Sequence, residues 1–463
     1  MKKSLSRITE YLLYLYVFLM PWQVRWIIKQ GELNDGDWEY GTYCLYGTEI
    51  LLIILILLQL FTDSTSRPRK QISGLSLAMI GLVVVSGLSF FWSINRELTF
   101  FYWLKMLEGA ALVWLMGRML FYPVWLGRAF IGGATVQAII GVGQFLSQWT
   151  FSSKWLGMAE HKAGVLGTYV VETDTERYLR AYGGLPHPNI LAGLLVVAIV
   201  IIFGLYFDLY RRIYYWYINL PSDDRKILWF SQRPNILGFT AEIVYYLFCL
   251  ILCTLGLIFT FSRSGWLAMI VGLGSLWLIL AFKRDLKKML VWAKLGLTML
   301  IVLGVAFSMY QKPIVSRFLT DERLEKISID ERVSYQDQAV ELLKNNWIVG
   351  VGLGNYTQAV YDKLDDDLES WAYQPVHNVF LLVPVEISAI GLIVLLFIIF
   401  EIIRRTWLNI RRSPYVDRWF AVGISLMLAV IVIGIFDHYL WSLYFGVILW
   451  WFCFGLFSKY SNR

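Results

Sequence analysis

Long, continuous apolar stretches run through this chain, and they limit its possible folds more than any other feature. A helix needs about 20 mostly apolar residues to cross the hydrocarbon core of a bilayer. Twelve such stretches can be drawn, at 8–28, 42–61, 73–92, 99–120, 125–147, 187–209, 239–261, 264–282, 291–309, 377–400, 418–436 and 439–457. Because they are continuous, a transmembrane barrel, whose strands alternate apolar and polar residues, is excluded. Hydrophobic residues make up 58% of the 463 and charged residues 16%. A soluble domain, with ~45–50% apolar and ~25% charged residues, has too little interior to hide this much apolar surface. The expected fold is an all-α polytopic membrane protein with about twelve transmembrane helices, a single integral domain over 1–463.

Charge placement orients the spans. Basic residues cluster in alternate loops: Lys2, Lys3 and Arg7; Arg67, Arg69 and Lys70; Arg118 and Arg128; Arg211, Arg212, Arg225, Lys226 and Arg233; Lys283, Arg284, Lys287 and Lys288; Arg404, Arg405, Arg411, Arg412 and Arg418; Lys459 and Arg463. The intervening loops hold acids such as Glu32, Asp35, Asp37, Glu39 and the run Asp365-Asp366-Asp367. By the positive-inside rule both termini are expected in the cytoplasm. The N-terminal Met-Lys-Lys segment runs into apolar sequence with no small-residue cleavage site, so it reads as an uncleaved first span. The loop at 210–238, rich in Arg, Tyr and Trp, reads as an interfacial anchor belt, with an acceptor-binding face as the other reading. Cys44, Cys249, Cys253 and Cys453 lie in or beside apolar stretches and read as small core residues.

Two loops on the outer side are long, at 148–186 and 310–376. The second is patterned. Ser328-Ile329-Asp330-Glu331 has the form of a capping box, and Val333, Gln336, Val340, Leu343 and Trp347 follow at helical spacing. Gly350-Val351-Gly352-Leu353-Gly354-Asn355 then breaks the pattern. An amphipathic helix opened by Arg332 is expected within an ordered cap.

The polar residues that invite chemistry stand at the outer ends of spans. Arg263, in Phe261-Ser262-Arg263-Ser264-Gly265, falls in a gap too short for an ordinary loop. It reads either as an arginine snorkelling to lipid phosphates or as an anion site, with Ser262 and Ser264 as further donors. Arg180 precedes the Gly183-Gly184-Leu185-Pro186-His187-Pro188-Asn189 turn, where Arg180 and His187 can equally be a solvated loop end. His377-Asn378 opens the tenth span; a neutral imidazole there can accept a proton, or simply be satisfied by a backbone carbonyl. Glu386, inside the same span, needs a partner or a proton. Asp437-His438, at the outer turn of the last hairpin, either supports a site or ends a helix.

Other chemistries leave no trace. No Gly-rich loop is followed by Lys-Ser/Thr, so ATP is not the energy source. No tight carboxylate and histidine constellation signals a metal, and Asp365-Asp366-Asp367 reads as a solvated acidic turn. No cofactor and no nucleic-acid partner are expected.

Four segments in order, RAYGGLPHPNILA from Arg180, FSRSGW from Phe261, Arg332 through GVGLGNY at Tyr356, and HNVFLLVPVEISAIGL from His377, resemble the O-antigen ligase family and its polymerase relatives. The resemblance covers about 180–392. It implies a metal-independent inverting glycosyltransferase with a GT-C-like fold, in the inner (cytoplasmic) membrane of a bacterium, with its active site on the periplasmic side. The donor would be a glycan on undecaprenyl diphosphate; the acceptor would be a hydroxyl of another glycan, a lipid A core or a protein. By the same resemblance Arg263 and Arg332 contact the diphosphate, Arg180 matches a further basic position, and His377 is the essential histidine. Two alternatives remain at this stage: a protein O-oligosaccharyltransferase, and a secondary transporter or flippase of lipid-linked glycans. The second lacks support from paired halves or from polar groups at mid-membrane.

Overall fold

A computed structural model describes residues 2–62, 73–165, 167–174, 176–219, 233–319, 323–412 and 416–461. Arg67, Arg69, Lys70, Arg225, Lys226 and Arg463, which helped to orient the spans, lie outside the described residues. The helices are α1 (Lys2–Leu19), α2 (Gly47–Thr62), α3 (Gly74–Leu88), α4 (Arg96–Arg118), α5 (Pro123–Ser147), α6 (Pro188–Ile218), α7 (Arg233–Phe259), α8 (Arg263–Phe282), α9 (Leu286–Ser316), α10 (Arg323–Asn346), α11 (Tyr356–Lys363), α12 (Val379–Arg412), α13 (Arg418–Phe436), α14 (Tyr439–Ser442) and α15 (Tyr444–Ser461). Eight short strands pair as four two-stranded antiparallel ribbons.

Among the described residues, nine helices are long and apolar enough to cross a membrane, and the chain is a helical membrane protein. The expected count of twelve is not reproduced. The stretch 8–28 is helical only to Leu19; beyond Pro21, Arg25–Lys29 instead pairs with Tyr43–Tyr46 as a ribbon. That ribbon also takes the start of the 42–61 stretch and leaves α2 short. The 439–457 stretch breaks after Ser442, and α15 is almost wholly buried against neighbouring helices that include α4 and α13. The other expected spans correspond to helices, several of them longer than about 20 residues.

Helix α6 is the axis. Every residue from Pro188 to Leu205 is buried, enclosed by α5, α7, α8 and α13. A helix apolar on all sides is stable only when surrounded. The outer helices instead expose apolar stripes, such as Leu297, Leu300 and Ile301 on α9 or Ile390, Ile393 and Phe397 on α12. These are the faces that lipid solvates.

Helix α12 is broken where it matters. Pro384 cannot donate to the preceding turn, and Ile387 and Ser388 leave helical geometry, Ser388 with φ of 76°. The freed groups are taken up by the glycine-rich loop. The Val351 amide donates to the Val385 carbonyl at 2.9 Å, the Gly352 amide to Glu386 at 2.9 Å, and the Ala389 amide to Trp347 at 2.9 Å. Gly350 has φ of 78°, and a Cβ there would lie 2.3 Å from the Glu386 carbonyl oxygen, so only glycine fits. The break fixes the end of α12 that carries His377 against the cap.

The cap helix α10 differs from its expected start. Ser328 through Glu331 lies inside it, and Arg332 is mid-helix. The helix is described from Arg323, and Glu325, in that first described turn, is held by Arg263 and Arg317, where an acid also suits the helix dipole.

Candidate active site

The first turns of α6 and α8 and the last turn of α13 meet beside the cap, and the candidate residues gather there. Arg180 follows the last strand of the 148–186 loop and is buried. Its Nε donates to the Thr260 carbonyl at 2.7 Å and its Nη2 to Asn189 Oδ1 at 2.8 Å. Asn189 in turn donates through Nδ2 to Asp437 Oδ2 at 2.8 Å. The turn between them is latched to α5: Gln144 Oε1 accepts from the Tyr182 and Gly183 amides at 3.1 and 2.9 Å, and Gln137 Oε1 from Gly184 at 2.6 Å. His187 caps α6, its Nδ1 accepting from the Asn189 amide at 2.9 Å.

Three of the four histidines surround one carboxylate. The rings of His377 and His438 are 4.8 Å apart, edge to face, and His377 also stacks on Tyr335 at 5.7 Å. His438 Nδ1 is 2.6 Å from Ser442 Oγ, and its amide donates to Asp437 Oδ1 at 2.9 Å. Burial alone would raise the Asp437 carboxyl, but His377, His438, His187 and Arg332 hold it at about 2. Burial, then His377 and Arg332, depress His438 to about 3. His377 is lowered from the usual histidine range by burial and by Arg332, against the pull of Asp437. Its imidazole is therefore neutral at neutral pH, and its Nδ1 is buried without a hydrogen-bond partner.

Beside the histidines the field is positive. Ser262 caps α8, accepting from the Gly265 amide at 3.3 Å, and Phe261 at φ of 49° makes the sharp break that sets Arg263 on the first turn. Arg317, which sequence reasoning did not single out, donates to the Phe261 carbonyl at 3.1 Å. It arrives there because α9 runs past the expected end of its span, kinked at Tyr310 ahead of Pro313. Arg332 reaches the Phe436 carbonyl at 3.4 Å. Burial first, and then the neighbouring guanidiniums, Arg263 and Arg332 among them, bring Arg180 down to about 10 and Arg317 to about 8. The four guanidiniums thus lie close enough to repel one another, with Glu325 and Asp437 as the facing carboxylates. Such an excess of forked donors is suited to an anion with several oxygens.

The remaining candidates hold the frame. Asn378 Oδ1 accepts from the Phe380 amide at 2.8 Å at the head of α12. Glu386 accepts from the Trp441 indole at 2.8 Å and so steadies the short helix α14 that follows His438. Ser262 and Ser264 lie 3.2 Å apart, with the Ser262 hydroxyl engaged as the cap. The set His377, Asp437 and His438 also has metal-type donor atoms within 4.8 Å of one another, a closeness that the spacing of these residues in the chain does not reveal. Both Asp437 oxygens already accept hydrogen bonds, and a cation there would face the arginines.

Residues 248–396 match a family model described as O-antigen ligase. Over this segment the chain is similar to O-antigen ligases. No curated protein matches the chain. The family implies a glycosyltransferase-type enzyme that uses a lipid-linked glycan and an acceptor. The O-antigen ligase segment includes Arg263, Arg317, Glu325, Arg332 and His377, whereas Arg180, Asn189, Asp437 and His438 lie outside it. The fold joins the two groups.

Proposed function

We propose that the protein is a metal-independent inverting glycosyltransferase, with a GT-C-like fold, that moves a glycan from undecaprenyl diphosphate to an acceptor hydroxyl, as an O-antigen ligase or a polysaccharide polymerase. One observation carries the reading: Arg180, Arg263, Arg317 and Arg332 converge next to a neutral, half-buried His377. Charge builds on the diphosphate as the glycosidic bond to it breaks, and fixed guanidiniums stabilise that charge in the transition state. His377 takes the proton from the acceptor oxygen as that oxygen attacks the anomeric carbon from the opposite face. Asp437 then stabilises the imidazolium, while Asn189 couples Asp437 to Arg180 through two hydrogen bonds. The donor arrives activated, so no nucleotide enters the step.

In this reading the site faces the periplasm of a bacterial inner membrane, and both termini are cytoplasmic. The test is product formation by purified protein in detergent, with lipid diphosphate donor and a panel of acceptors and no gradient. Transport confined to sealed vesicles, without product, would instead support a flippase.

A further inference from the structure

The helices α8 and α13 carry Arg263 and Asp437 at one end of the bundle. At their other ends, about 30 Å away along the 20-residue α8, lies a cavity of about 380 Å³. Its inner wall is apolar: Phe207, Leu276, Leu280 and Ala421. Its mouth is ringed by Lys283, Arg284, Lys287, Lys288 and Arg418, against the single carboxylate Asp285. Asp285 is occupied, since it ion-pairs with Lys288 at 2.7 Å and accepts from the Lys288 amide. Lys287 rests over the Tyr214 ring at 4.1 Å, and Arg418 pairs with Asp208 while its Nε is buried without a partner. Arg284 has no ion-pair partner among the described residues.

The backbone adds a second observation. Arg284 ends α8 with φ of 52°, its amide donating to Ala281 and that of Asp285 to Leu280, both at 3.0 Å. Glycine is the usual residue at such a left-handed helix end, because it meets no Cβ penalty. An arginine there keeps its cation at a conformational cost. Orientation of the chain in the membrane calls for basic residues at this end. It calls neither for a cavity nor for an arginine in a strained position.

We propose that this cleft binds an anionic phospholipid of the opposite leaflet. The phosphodiester lies among Arg284, Lys287 and Arg418, and the acyl chains run along Leu276 and Leu280. The amphiphilic lining, apolar within and cationic at the mouth, matches a charged head on an apolar tail and not a free soluble anion. Phosphate-bearing lipids gain from such basic pockets between membrane helices. This site is independent of the glycosyltransferase reading.

The experiment titrates purified full-length protein in detergent with phosphatidylglycerol, phosphatidylcholine or inorganic phosphate, following the thermal midpoint and lipid retention by native mass spectrometry. Phosphatidylglycerol is expected to raise the midpoint and stay bound, whereas phosphatidylcholine and inorganic phosphate do neither. The double variant Arg284→Gly, Lys287→Gln removes two cations and relieves the left-handed backbone, so it folds at least as well without lipid. Its phosphatidylglycerol affinity should fall about 10- to 30-fold. Equal responses to both lipids, a response to inorganic phosphate alone, or an unchanged response in the double variant would each overturn the proposal.

Discussion

Arg263 Nη1 lies 3.2 Å from Glu325 Oε2, so the first turn of the cap helix supplies a carboxylate to an arginine at the head of a membrane helix. Arg317 pairs with the same carboxylate. Two of the four arginines proposed to hold the donor are therefore already engaged by an anionic group of the protein itself. An incoming diphosphate must compete with it.

Glu325→Gln should remove that competition. The KM for the lipid diphosphate donor is expected to fall about 2- to 5-fold, because Arg263 is partly exposed and the ion pair is correspondingly weak, with kcat little changed. Steady-state kinetics over donor concentration checks this. A higher donor KM would mean that Glu325 positions the arginines instead of occupying them.

Removing the arginines should act on the donor first. Arg263→Ala and Arg332→Ala should each lower kcat/KM for the donor by about 10- to 150-fold, the value of one charge-assisted contact, and affect the acceptor KM less. Arg263→Lys keeps the charge but loses the forked donor geometry, so it should also be impaired. Normal turnover of Arg263→Ala on a lipid diphosphate would displace the donor site from α8.

Activity should persist in EDTA and without ATP. The His377, Asp437 and His438 donor atoms make this a pointed test. Loss of activity in EDTA with recovery in added divalent metal would assign those three residues to a metal.

Gly350→Ala should destabilise the protein by about 1–3 kcal/mol, since both its φ and the Glu386 carbonyl leave no room for a methyl group. The thermal midpoint should drop, and activity per folded molecule should fall as the broken end of α12 loses its support.

Much of the site was legible because polar residues at span ends are conspicuous against apolar sequence. Arg263 and His377 stood out in that way. Arg317 did not, because it falls beyond the apolar stretch at 291–309, whereas α9 bends and continues to Ser316. Glu325 was hidden by the Ser328 capping-box pattern, which turned out to be helix interior; the first described turn is held by a tertiary ion pair that local spacing does not encode. The same limit explains the shortened first span: Arg-Trp-Ile-Ile-Lys is apolar enough to read as membrane helix, yet it pairs with Tyr43–Tyr46. Asp437, central to the histidines, read equally as a supporting residue or a helix end, because His187, Arg332 and His377 lie far off in the chain.

The central claim rests on His377, and its pH profile with and without the imidazole tests it most directly. A base must be deprotonated, and burial with Arg332 lowers the His377 pKa. The acid limb of kcat/KM should therefore fall below the ordinary histidine value of about 6.5, with full activity above it. His377→Ala, shown to be folded and to bind donor, should lose about 10²–10⁴-fold in turnover together with that limb. Folded His377→Ala that turns over at near the normal rate, with the acid limb intact, would contradict the account.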